Sequence, residues 1–196
     1  MQLGFYFDQT RCTGCFTCVV ACKDWHDVPA GPSSWIRVFP LERGKYPDLF
    51  VAFLRTSCYH CLKPACVSAC PASAITKRKQ DGIVIVDREQ CLGKDSCRSC
   101  LESCPYDAPQ FGDGENASME KCDFCEERLA EGQTPICVEA CPMRALDVGP
   151  MEELIAKYGT ARETIGFVYS EDCIPSMIFK PKGEDSKRLA RQENTR

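Results

Sequence analysis

No stretch of this 196-residue chain approaches the roughly 18 consecutive apolar residues that a membrane span needs. Met1–Phe7 is short, apolar and uncharged and leads straight to the first cysteine, so a secretory signal is not expected. A basic excess is also missing. The formal net charge of −4 argues against a nucleic-acid partner. There is no glycine-rich phosphate loop, no Ser/His/Asp set and no flavin fingerprint, so no substrate chemistry of its own is legible in the chain. Histidine is down to two residues, His26 and His60. Cysteine is what the chain has in abundance, with seventeen residues.

Sixteen of the seventeen fall into four sets of four. Cys12, Cys15, Cys18 and Cys22 read C-x2-C-x2-C-x3-C, and Cys58, Cys61, Cys66 and Cys70 read C-x2-C-x4-C-x3-C. Cys91, Cys97, Cys100 and Cys104 read C-x5-C-x2-C-x3-C, and Cys122, Cys125, Cys137 and Cys141 read C-x2-C-x11-C-x3-C. A cubane [4Fe–4S] cluster has four iron corners, each needing one thiolate. Close spacing lets one loop supply three of them, while in two-cluster ferredoxins the last cysteine of a run, followed by proline, ligates the other cluster. Pro71, Pro105 and Pro142 follow Cys70, Cys104 and Cys141, and each is expected to end the short helix before it. Cys22 is followed by Lys23 instead.

Two other uses of cysteine fit less well. Disulfide scaffolds belong to short secreted chains, and cysteines two residues apart make poor disulfides with each other. Structural zinc takes two C-x2-C pairs per metal and explains neither the C-x2-C-x2-C triplet nor the Cys-Pro endings. Four such sets in tandem point to a polyferredoxin, a chain that conducts electrons. With four clusters at roughly −2 each, the holo-protein would carry about −12. Folding is then expected to be coupled to cluster insertion.

The pattern predicts an α+β fold. Strands are expected at Leu3–Asp8, at Trp35–Leu41 and Leu49–Thr56 around an Arg43-Gly44-Lys45 turn, and at Ile75–Lys79 and Ile83–Asp87 around Asp81-Gly82. Helices are expected at Phe16–Trp25 and Pro150–Tyr158, the latter stopped by Gly159. Phe167–Tyr169 and Ile174–Phe179 are candidate terminal strands, and from Lys180 onward the chain is charged and nearly free of apolar residues. Sets two and three flank the second hairpin as the halves of a two-cluster ferredoxin do. This divides the chain into two pseudo-symmetric ferredoxin-like modules with an inserted β-hairpin. The outer module comprises residues 1–56 and 105–150, the central one 57–104, and a C-terminal extension, 151–196, is expected to dock on a partner.

The chain resembles the four-cluster iron–sulfur subunit of molybdenum- or tungsten-bis-pterin oxidoreductases of the dimethyl sulfoxide reductase type. The residues that carry the resemblance are Arg11-Cys12-Thr13-Gly14-Cys15, Cys61-x2-Pro64-Ala65-Cys66-x3-Cys70-Pro71 and Cys104-Pro105-Tyr106-x-Ala108-Pro109-Gln110. Lys121-Cys122-Asp123-x-Cys125 and Pro135-x-Cys137-Val138-Glu139-x-Cys141-Pro142 complete it, and the match runs from about residue 3 to residue 150. The resemblance implies four [4Fe–4S] clusters, no catalysis by this subunit, and a cross-paired ligand scheme. Cys12, Cys15, Cys18 and Cys141 would hold one cluster; Cys122, Cys125, Cys137 and Cys22 its neighbour; Cys58, Cys61, Cys66 and Cys104 a third; and Cys91, Cys97, Cys100 and Cys70 the fourth. It also implies a pterin-bearing catalytic subunit as partner, with electrons passing to or from a membrane quinone anchor or another carrier. A formate dehydrogenase or hydrogenase assembly, or a free polyferredoxin, remain alternatives.

In one place the chain departs from the family. The third set usually begins C-x2-C, but here Leu92–Ser96 opens that gap to five residues. Either the longer loop still delivers Cys91, or the cluster is a three-iron form, or another ligand replaces Cys91. Cys173 is expected as a free thiol among terminal apolar residues. His26 and His60 either pack or tune a cluster by hydrogen bonding. Trp25, Trp35 and Tyr59 are expected to shield clusters from water, and Lys77-Arg78-Lys79 to form a solvated face or meet an acidic patch on a partner. A cytoplasmic location is expected; the alternative is export of the folded chain with a partner bearing a twin-arginine signal.

Overall fold

Alternate residues of a strand face opposite sides, yet Gly4–Asp8 are buried without alternation. The reason is position. In a computed structural model, which describes residues 1–183, this strand is the middle one of three. In chain order, β1 (Leu3–Asp8) is followed by α1 (Thr17–Trp25), a hairpin of β2 (Arg37–Arg43) and β3 (Phe50–Thr56), and α2 (Ala65–Ala69). A second hairpin, β4 (Ile75–Lys77) and β5 (Val84–Val86), leads to α3 (Ser99–Glu102) and the short pair β6 (Gln110–Phe111) and β7 (Met119–Glu120). Then come α4 (Glu126–Ala130), α5 (Ile136–Glu139), β8 (Leu146–Pro150), α6 (Met151–Tyr158) and β9 (Met177–Lys180).

β8 pairs antiparallel with β1, setting Phe5 opposite Val148, and β9 pairs parallel on the other edge, setting Phe5 opposite Met177. The first and last described strands are therefore neighbours. α6 packs on the sheet that β9 completes: it lies against β1, β8 and β9, with the Tyr6 and Tyr158 rings stacked 3.6 Å apart over Met151, Leu154 and Ile178. Any docking role for the charged end beyond residue 183 lies outside the described residues.

Both expected hairpins are present. The first turns through a longer loop than Arg43-Gly44-Lys45, because β2 runs on to Arg43 and β3 begins at Phe50. The terminal strand begins at Met177 rather than Ile174, since Ile174 takes φ 51° and Pro175 follows it. The strand expected at Phe167–Tyr169 reduces to one isolated bridge between Thr164 and Phe167.

The helices are only four to nine residues long, below the length at which a helix holds itself together in water. They depend on what they pack against. α1 packs on α5 and α2 on α3, and the large core interleaves aromatic rings with cysteines, Phe5 meeting Phe124 at 4.4 Å beside Cys22, Cys58, Cys122, Cys137 and Cys141.

Gln9, wholly buried at the end of β1, ties the separated segments together. Its amide donates to the Phe53 carbonyl at 3.3 Å and the Ile165 carbonyl at 3.0 Å, and its oxygen accepts from the Thr164 hydroxyl at 2.6 Å and the Lys182 N–H at 3.2 Å. Replacing it strands several buried polar groups, each costing about 1–3 kcal/mol. Gln9→Ala should lower the temperature at which the protein loses its cluster absorbance on anaerobic heating, whereas an unchanged midpoint would mean the C-terminal segment is held without this bridge.

Candidate iron–sulfur centres

Three turns of one design bring the distant cysteines into place. In Cys70-Pro71, Cys104-Pro105 and Cys141-Pro142 the proline has no N–H to continue the helix that ends just before it. The residue three beyond each cysteine then enters the left-handed region: Ser73 at φ 53°, Asp107 at 49° and Arg144 at 49°. Each donates its N–H to the carbonyl of its cysteine, at 3.2, 3.3 and 3.2 Å. A buried alanine follows each time, Ala74, Ala108 and Ala145, and the Ala145 N–H points at the Cys141 sulfur at 3.4 Å. The repeat Cys-Pro-x-x-Ala is legible in the sequence, although only its proline signals the turn. Cys22 lacks it, and α1 continues past that cysteine to Trp25.

These turns mix the sets. One cavity of about 370 Å³ is lined by Cys12, Cys15, Cys18 and Cys141. A second, about 400 Å³, is lined by Cys58, Cys61, Cys66 and Cys104. A third, about 330 Å³, is lined by Cys70, Cys91, Cys97 and Cys100. The remaining four are also neighbours: besides burial, Cys137 and Cys125 push the Cys22 thiol up, and Cys22, Asp123, Cys58 and Cys137 push up Cys122.

The widened third set does not displace Cys91. Residues 92–96 are clasped to the strand-linking loop at 112–117. Asp95 and Asn116 exchange backbone-to-side-chain hydrogen bonds at 3.1 and 3.0 Å, Asn116 also donates to the Leu92 carbonyl at 3.1 Å, and Lys94 Nζ donates to the Gly112 carbonyl at 2.9 Å. The Met119 N–H then reaches the Cys91 sulfur at 3.4 Å.

Four thiols in a small cavity suit a cubane, and two further observations test the fit. Burial pushes the thiols of Cys18 and Cys100 up to about 11 and those of Cys66 and Cys125 up to about 12. Thiolates become stable there only when a cation such as iron replaces the proton. Among the described residues, five buried polar atoms that can donate, Trp35 Nε1, Arg55 Nε, Thr56 Oγ1, Tyr59 Oη and His60 Nε2, also lack a partner. Such groups are rare in folded proteins. Arg55 lines the first cavity and Tyr59 the second, where thiolates and sulfides would be acceptors. The residues fit the clusters.

Other candidate residues sort by contact. His26 Nε2 lies 3.4 Å from the Cys125 sulfur and 3.6 Å from Asp123 Oδ1, its ring 4.5 Å from Trp35. His60 is buried; its Nδ1 accepts the Val84 N–H at 3.0 Å, so Nε2 carries the proton, and burial holds the ring neutral. Trp35 and Tyr59 are buried as expected, but Trp25 is 43% exposed beneath the Arg128 guanidinium and shields little. The basic run 77–79 is solvated only in part: Lys79 is exposed, but Lys77 donates to the carbonyls of Cys61 and Gly82, and Arg78 pairs with Asp81 and Glu126. Cys173 departs most from expectation. It faces the second cavity beside Cys61 and Cys104, held by the Lys63 N–H on its carbonyl at 3.0 Å. An isolated cysteine carries no spacing signal that would have placed it there.

Two matches to family models described as 4Fe-4S dicluster domain cover residues 49–151 and 11–74. The chain is 43% identical to YnfG of Escherichia coli (strain K12), a probable anaerobic dimethyl sulfoxide reductase subunit, over 92% of this chain and 89% of the relative. It is 42% identical to the B subunit of anaerobic dimethyl sulfoxide reductase of Haemophilus influenzae over the same shares. Protein NrfC of Escherichia coli (strain K12) is 36% identical over 78% of this chain and 67% of that protein.

Cys173 and Cys104 line one cavity, but only Cys104 has ligand spacing. Cys173→Ser should keep the iron content of the unmodified protein, while Cys104→Ser should lower it; equal losses would make Cys173 a ligand.

Proposed function

This chain belongs to the 4Fe-4S dicluster family, with the B subunits of anaerobic dimethyl sulfoxide reductase among its relatives, and we propose that it carries four [4Fe–4S] clusters relaying electrons for a molybdenum- or tungsten-bis-pterin catalytic subunit. It is an iron–sulfur electron-transfer subunit of the dimethyl sulfoxide reductase type. The observation that carries the finer reading is the lining of the three cavities, each of which joins three cysteines of one set to a fourth from another.

The ligand sets proposed are Cys12, Cys15, Cys18 and Cys141; Cys22, Cys122, Cys125 and Cys137; Cys58, Cys61, Cys66 and Cys104; and Cys70, Cys91, Cys97 and Cys100. Packing of α1 on α5 and of α2 on α3 supports two modules, an outer one built from residues 1–56 and 105–150 and a central one from 57–104. Bound clusters supply one-electron redox chemistry. The chain's own residues hold the corners, exclude water with Phe5, Phe124, Tyr59 and Tyr106, and aim N–H groups such as those of Ala145 and Met119 at thiolate sulfur. Such donors stabilise the more negative, reduced state.

The other end of the proposed relay is a membrane quinone anchor or another carrier. Among the described residues no helix is long and apolar enough to cross a membrane, so contact with an anchor would be made from the surface.

The cross-paired scheme is tested by Cys141→Ser. It should abolish or alter the spectroscopic signal of the cluster on Cys12, Cys15 and Cys18, more than one hundred residues away in sequence, and spare the one on Cys122, Cys125 and Cys137. A change confined to the latter would show that each set closes on its own last cysteine.

A further inference from the structure

β3 presents alternate residues to opposite sides. Leu54 turns toward Gly166, where an added Cβ would meet it at 3.4 Å. Phe53 and Arg55 turn the other way, toward the first cluster loop. The Phe53 ring covers Gly14 so closely that a Cβ there would fall 2.3 Å from it, and Gly14 has φ 66° besides. Two residues on, Arg55 enters the cavity lined by Cys12, Cys15, Cys18 and Cys141.

Arg55 is 1% exposed. Nη1 donates to the Ser57 hydroxyl at 2.7 Å and Nη2 to the Cys137 sulfur at 3.6 Å, the guanidinium lies 5.0 Å from the Phe5 ring, and Nε has no partner among the described residues. Among the described residues no carboxylate pairs with it. Burial opposes its charge, and the sulfurs of Cys137, Cys18 and Cys122 more than offset that, holding the guanidinium above its ordinary range. An arginine cannot shed its proton, and a buried charge without a counter-charge is strongly destabilising. Among the described residues, the groups placed to neutralise it are thiolates of two different ligand sets, one through the cavity it lines and one through Cys137.

We propose that Arg55 is the shared counter-charge of the two outer clusters, and that its fixed positive charge raises the reduction potential of both. This rests on the four-cluster reading above. Reduction adds an electron to a cluster already negative, and a cation in a medium of low dielectric favours that state. The central clusters, on the sets of Cys58 and Cys70, lack contact with Arg55 and should not share the effect.

The test is an EPR-monitored redox titration of the anaerobically purified complex carrying Arg55→Gln or Arg55→Lys. Spin quantitation of the unmodified complex comes first, because fewer than four cluster signals there would overturn the four-cluster reading itself. With four present, Arg55→Gln should move both outer clusters to more negative potential, each by at least a tenfold change in the one-electron equilibrium, about 59 mV. Arg55→Lys, which retains the charge, should leave them close to their original values, and the central clusters should stay in place in both variants. Unmoved outer clusters in Arg55→Gln, or a shift of one alone, would overturn the proposal. If Arg55→Gln fails to load its outer pair, Arg55→Lys decides. Full iron at the original potentials supports a role of charge, and loss of the same pair shows that the shape of arginine is what matters.

Discussion

Desolvation of sulfur is the constraint on which this structure depends. A thiol in a dry, apolar cavity keeps its proton, because the thiolate loses its hydration and gains nothing for it. Burial pushes Cys18, Cys66, Cys100 and Cys125 well above the ordinary thiol range. Iron reverses the balance by offering each sulfur a cation in place of a proton, so metal binding and folding become one equilibrium. The architecture follows. Helices of four or five residues need no stability of their own when their ends are fixed by metal ligands, and a core may be studded with cysteines if the inorganic cube fills the remaining space.

Charge has to be balanced in the same interior. The chain is negative before any cluster is added, and two of its buried cations, Arg55 and Lys121, sit beside the cysteine cavities. Arg55 lines the cavity of Cys12, Cys15, Cys18 and Cys141 and donates to the Cys137 sulfur, while Lys121 lines the cavity of Cys58, Cys61, Cys66 and Cys104 and donates to the carbonyls of Val84 and Cys122. Neither has a carboxylate partner among the described residues. The unpartnered donor on Tyr59, which lines the second cavity, follows the same rule: a polar group that looks misplaced in an apolar core is in place if the core contains sulfide.

Much of this was legible in the sequence. Cysteine spacing marked the four sets, the Asp81-Gly82 pair marked the second hairpin, and Gly159 marked the end of α6 at φ 86°. These signals are local, carried by residues a few positions apart. What was not legible depends on tertiary geometry. β8 is a short strand recognisable mainly by its antiparallel pairing with β1, and the expected terminal strand carried no local sign that it would pair parallel to β1. Cys91 precedes an insertion whose outcome depends on Asn116, and Cys173 reaches the second cavity because Leu62 and Lys63 bind its segment. Arg55 in a strand reads as an exposed charge; only burial on both sides of the hairpin reveals that it faces inward.

The proposed four cubanes, and the proposed pterin-metal partner, can be counted by metal analysis. Iron, acid-labile sulfide, zinc, molybdenum and tungsten would be measured on the native complex purified without oxygen and normalised to this chain. About sixteen iron and about sixteen sulfide are expected, four of each per cubane, with molybdenum or tungsten in stoichiometric amount from a copurifying subunit. Zinc in place of iron would contradict the redox role at its root, and full iron without either pterin metal would contradict the proposed partner.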